Sequence, residues 1–123
     1  MRSSVWFWSL LSGLVVLGLL GWHMAVMHLH GSLGLMVSMS AEPLAWQDVV
    51  ARGRSAVVAG SYVLLLGAAL FHGFYGLRTM LTEYWPTRGA EKLITVSCWI
   101  AGGALFTVGT YAAIAFRFAA LAP

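Results

Sequence analysis

Imidazole, guanidinium, carboxylate and phenol follow one another within a single stretch, Phe71–Tyr84. At 100° per residue, Gly76, Thr79 and Glu83 all fall within about 40° of His72 on a helix. One stripe thus carries an imidazole, then a residue with no side chain, then polar groups. The rise from His72 to Glu83 is about 16 Å, so His72 sits inside the hydrocarbon when Glu83 is at the headgroups. This arrangement suits b-type haem. A neutral imidazole supplies an axial nitrogen, glycine one turn along lets a flat macrocycle lie against the helix, and Arg78 can pair with a propionate. A hydrogen bond from His72 to a neighbouring helix is the plainer use of such a residue. Tyr84 and Glu83 stand where a quinone headgroup, arriving through the bilayer, would meet water. The phenol can donate to a quinone carbonyl and the carboxylate can relay protons. The plainer reading is an interfacial belt tyrosine beside a solvated glutamate.

A second cluster of side chains lies upstream. His23, Met27 and His30 share one helical face, while Met24 and His28 share another. Measured from the expected cytoplasmic ends, His23 is at a depth of about 27 Å, His28 at about 34 Å and His72 at about 18 Å. His28 is too far along the normal to share an iron with His72. His23 or His28 would instead fit a second, distal haem. Imidazoles and thioethers together also suit Cu(I), so a small copper-binding or oxidase-accessory membrane protein is the alternative. The split of the five residues over two faces speaks against one ion gathering them all.

These residues need long helices to hold them. Three charge-free apolar runs, Val5–Met39, Ser55–Leu77 and Leu93–Phe116, fill most of the 123 residues. Each exceeds the roughly 20 residues that cross ~30 Å of hydrocarbon. With 9% charged residues the chain is far below the about 25% of soluble domains. The expected fold is all-α, one membrane unit of three transmembrane helices over about 5–30, 54–85 and 91–117. The connection 31–53 holds Glu42, Pro43 and a Trp46-containing amphipathic stretch, and Pro43 can begin a short interfacial helix in it. Pro86 stops the second helix. The net charge of +3 comes from residues scattered at the ends of the runs. It is membrane-flank charge and not a nucleic-acid footprint. The first run is too long for a signal-peptide core and lacks a small-residue cleavage site, so it reads as an uncleaved helix. Arg2, Arg78, Arg88 and Lys92 against Arg52, Arg54 and Arg117 slightly favour a cytoplasmic N-terminus. Cys98 reads as an apolar filler. Small residues four apart, Ala56/Gly60, Ala69/Gly73 and Gly109/Ala113, let helices approach closely and point to a bundle completed by another subunit.

The pattern His72-x-x-x-Gly76-x-Arg78, with Glu83-Tyr84 beginning eleven positions after the histidine, resembles the smaller membrane-anchor subunit of succinate:quinone oxidoreductase (respiratory complex II) and the related fumarate reductases. Size and three-helix plan match along the whole chain. The run Gly21–Gly31 also looks like the first-helix end of actinobacterial-type anchors. The resemblance implies that His72 ligates haem b and that Tyr84 binds quinone. Glu83 stands where the family usually has aspartate, which keeps the carboxylate and shifts its reach. The serine and arginine that complete the family's quinone site usually come from the other anchor subunit. Implied partners are that second anchor subunit, an iron–sulfur subunit, a flavoprotein subunit and membrane lipid, in a bacterial cytoplasmic membrane. The chain itself has no flavin site and no cysteine cluster for an iron–sulfur centre.

Overall fold

Backbone polar groups in hydrocarbon must satisfy one another, and a proline-free apolar run does so as an α-helix. The computed structural model describes residues 3–28 and 45–121, and among these there are four α-helices and no strand. They are α1 (Ser3–His28), α2 (Trp46–Arg54), α3 (Ala56–Tyr84) and α4 (Arg88–Leu121). α1, α3 and α4 contain 26, 29 and 34 residues, or about 39, 44 and 51 Å of helix. All three are long and apolar enough to cross a membrane. This is a multi-pass membrane protein.

The helix ends follow from local chemistry. α3 stops at Tyr84 as Pro86 requires, and the Trp85 N–H returns to the Leu81 carbonyl at 3.0 Å. The Thr87 hydroxyl accepts the Ala90 N–H at 3.2 Å. That cap starts α4 at Arg88, three residues ahead of the expected Glu91. α4 then runs past Arg117 to Leu121. Ser55 takes an extended conformation and accepts the Val58 N–H. It therefore separates α2 from α3, so the second spanning helix begins at Ala56 and not at Arg54. The expected end of the first helix at His30 lies outside the described residues, as do Glu42 and Pro43. The interfacial helix is α2, amphipathic and beginning at Trp46.

α3 is the middle of the molecule. α1 packs on one side of it and α4 on the other, and among the described residues α1 and α4 do not touch. His23 of α1 lies against Tyr62, and Ser9 and Gly13 lie against His72, so α1 and α3 run antiparallel. α2 leans on the last turns of α4. Trp46 meets Phe116 edge-to-face at 6.4 Å, and Arg54 Nε donates to the Ala120 carbonyl at 2.8 Å. That bond satisfies one of the carbonyls a helix leaves free at its C-terminus. Among the described residues the result is a three-helix layer and not a closed bundle. No residue of the central helix is buried. Of the three small-residue pairs, Gly109 is used inside the chain, against Leu66. Ala56/Gly60 and Ala69/Gly73 are exposed on α3.

Candidate haem and quinone site

His72 is placed by α3 and oriented by α1. Its Nδ1 lies 3.0 Å from the Ser9 carbonyl oxygen. A carbonyl can only accept, so Nδ1 carries the proton in this bond. In the neutral ring Nε2 is then the atom with the free lone pair. A metal-bound histidine shows the same pattern, with one ring N–H held by a carbonyl and the other nitrogen turned to the metal. Ser9 is one of two buried described residues, and its carbonyl also accepts the Ser12 hydroxyl at 2.7 Å. The ring is seated on Gly13. A Cβ there would stand 2.9 Å from His72 Cε1, closer than real Cβ contacts come, and a tight 3.1 Å from Nδ1. Glycine at 13 therefore creates the seat for the imidazole.

Beyond His72 the helix presents an open face. His72, Gly73, Gly76, Met80, Glu83 and Tyr84 are all exposed on α3. Nothing lies within 4 Å of where a Cβ would stand at Gly73 or Gly76. A flat apolar ring system can approach the backbone there. Tyr84, 75% exposed, packs edge-to-face on Trp85 at 4.6 Å. With Glu83 it forms the end of the stripe, about 18 Å from His72 along the helix. Thr79 turns back to the Tyr75 carbonyl at 2.9 Å and offers the stripe no free hydroxyl proton.

Arg78 belongs to a different face. It is six residues from His72, about 120° away round the helix, and it points at α4. Its Nε donates to Thr95 Oγ1 at 2.8 Å and its Nη2 pairs with Glu91 at 3.0 Å. His72 and Arg78 are thus not brought together, and a propionate partner would have to draw Arg78 away from Glu91.

His23 is packed in the α1–α3 seam, its ring edge-to-face with Tyr62 at 5.7 Å. Tyr62 is ten residues from His72, so the two imidazoles lie about 15 Å apart along the layer. This is wider than the depths expected from helix ends. α3 continues for twelve residues beyond His72, whereas the Ser9–Gly13 seat is only six to ten residues from the start of α1. The helices are staggered, and the offset adds to the separation. His28 ends α1, but its side chain and those of Met27 and His30 lie outside the described residues. Of the proposed copper cluster, His23 and Met24 are the two with described side chains, and neighbouring helical residues diverge by about 100°. Among the described residues no three His, Cys, Asp or Glu side chains gather as a metal site.

One residue passed over in the sequence stands out. The Tyr75 hydroxyl is buried and has no hydrogen-bond partner among the described residues. Its ring stacks on Phe71 at 6.3 Å. Its place inside the Phe71–Tyr84 stretch was the available signal.

The residues present fit an axially ligated haem in three respects: a single imidazole tautomer, a bare helix face beside it, and apolar surroundings. They supply one ligand, since no second described histidine lies at the level of His72. No family model, curated protein or solved structure matches the chain.

Proposed function

We propose that this chain is a membrane-anchor subunit of a succinate:quinone oxidoreductase or fumarate reductase, with His72 holding haem b and Tyr84 and Glu83 receiving the quinone. One observation carries the reading. His72 donates Nδ1–H to the Ser9 carbonyl at 3.0 Å, inside the membrane span, next to a helix face that Gly73 and Gly76 leave bare. A histidine placed only to join two helices would need the bond to Ser9 but not the bare face beside it.

In this reading the flavoprotein and iron–sulfur subunits dock at the membrane surface where α3 ends, and a second anchor subunit covers the open face of the layer. Bound haem b would carry single electrons at a potential set by its axial ligands and their hydrogen bonds. The Ser9 carbonyl fixes the plane and tautomer of His72. Gly13 keeps that plane free of a side chain. Reduction of a quinone to a quinol takes two electrons and two protons. The electrons leave the iron–sulfur subunit. Tyr84 donates its O–H to a quinone carbonyl, and Glu83, at the aqueous edge, passes protons inward. Arg78 holds α3 to α4 through Glu91 and Thr95, which keeps Tyr84 and the start of α4 in a fixed relation.

A reduced-minus-oxidised optical spectrum of the complex purified through this chain tests the proposal. The expected result is haem b, lost or converted in His72→Ala while all subunits still assemble. An unchanged haem spectrum in that variant rules out His72 as ligand. Tyr84→Phe removes one hydrogen bond, about 0.5–1.5 kcal/mol. It is expected to weaken quinone affinity roughly two- to tenfold while succinate oxidation with a soluble acceptor persists. Equal loss of both activities would point to failed assembly.

A further inference from the structure

Three donors converge on the Ser9 carbonyl oxygen. Within α1 it takes the helical N–H of Gly13, four residues on. The Ser12 hydroxyl turns back to it at 2.7 Å. From α3, His72 brings Nδ1 to 3.0 Å. Both side-chain bonds have ordinary lengths for their kind, so both are made at once. A peptide oxygen has two lone pairs, and the three donors therefore divide one supply of electron density. Ser9 is buried, and in such surroundings each donor acts on the oxygen more strongly than it would in water. Ser61 makes the same kind of turn, to the Val58 carbonyl at 2.7 Å. It lies eleven residues from His72, about 16 Å along α3, and a serine that only satisfies its own hydroxyl in an apolar helix needs no more than this. Ser12 differs in the oxygen it takes, which is the one that holds the imidazole.

We infer that Ser12 is a positioning residue that sets the strength of the Ser9–His72 hydrogen bond and, through it, how strongly Nε2 donates electrons. The hydroxyl draws density from the Ser9 oxygen and makes it a weaker acceptor for Nδ1–H. A weaker bond at Nδ1 leaves Nε2 less basic, since the acceptor on one ring nitrogen raises the basicity of the other. Ser12 thus holds Nε2 below the basicity that the Ser9 carbonyl would give it unshared. The hydrogen-bond part of this inference stands without any bound group. Its consequence for haem rests on His72 being the ligand. A less basic ligand nitrogen stabilises oxidised iron less, so in that reading Ser12 keeps the midpoint potential high.

The Nδ1–H proton resonance of His72 reads the bond directly, by NMR of the full chain in detergent with labelled imidazoles and no haem. Its absence in His72→Ala assigns it. Ser12→Ala leaves the Ser9 oxygen to the imidazole and the helix, so the resonance should move downfield as the bond shortens. Ser12→Thr keeps a hydroxyl that can reach the same carbonyl and should return the resonance to its place. Ser12 lines an open groove, which has room for the added methyl. Ser61→Ala removes the same kind of bond elsewhere and should move nothing. A resonance that stays, moves upfield or is lost in Ser12→Ala overturns the inference, as does an equal shift in Ser61→Ala. In the purified complex the haem midpoint potential should fall in Ser12→Ala and recover in Ser12→Thr. A downfield resonance with an unchanged potential would uphold the action of Ser12 on His72 and remove His72 from the haem.

Discussion

His72 and Gly13 are a pair made by packing. The imidazole reaches the Ser9 carbonyl only because position 13 has no side chain. Replacing Gly13 with valine therefore forces the ring to move. Overpacking of this kind costs typically about 1–3 kcal/mol. The larger consequence is chemical, because a displaced ring loses its carbonyl partner, and that partner sets the basicity of the other nitrogen. With His72 as the proposed haem ligand, Gly13→Val is expected to shift the haem midpoint potential and lower haem occupancy, measured by redox titration of the purified complex. Gly21→Val is the control, since nothing lies within 4 Å of its added Cβ. A potential that stays fixed in Gly13→Val, with the protein intact, would separate His72 from the haem.

At the scale of elements, Arg78 shows how a residue's type and its role come apart. Its bridge to Glu91 joins α3 to the first turn of α4, but the two side chains are 26% and 58% exposed. Such a pair is screened, and its coupling should be below about 1 kcal/mol. A double-mutant cycle with Arg78→Gln and Glu91→Gln, read by thermal unfolding in detergent, checks this. A larger coupling would mean that membrane or partner shields the pair. The sequence made the spanning helices legible because charge stops at their ends: the runs ending near Leu77 and beginning near Leu93 became α3 and α4, and Pro86 marked the turn. It also placed His72, Gly76 and Glu83 on one face, since helical geometry fixes that. It could not say which helix would face which. The Ser9 carbonyl and Gly13 carry no motif, and Arg78 turned out to serve α4. Periodicity gives the angle of a side chain about its own axis, and only packing gives what stands opposite. The exact starts of α3 and α4 were missed for a smaller reason: Ser55 and Thr87 cap them through side-chain hydrogen bonds.

At the scale of the molecule, the described residues form a layer in which α3 touches both neighbours and they do not touch each other, so the described part leaves both of its faces open. In the proposed reading this bears directly on the haem iron. Haem of the bis-imidazole kind needs two histidines at one level, and the described part of this chain supplies one there, with His23 about 15 Å away along the helices. The chain expressed alone, inserted in membranes and supplied with haem, should therefore give at most a weakly held, five-coordinate, high-spin species. Co-expressed with the proposed second anchor subunit, it should give a six-coordinate, low-spin haem at stoichiometric occupancy. Optical and electron paramagnetic resonance spectra distinguish the two states without any assay of turnover. A low-spin bis-imidazole spectrum from the chain alone would place both ligands within this sequence or a second copy of it. The open face beside Gly73 and Gly76 would then be a homodimer surface, with two His72 side chains on either side of one haem.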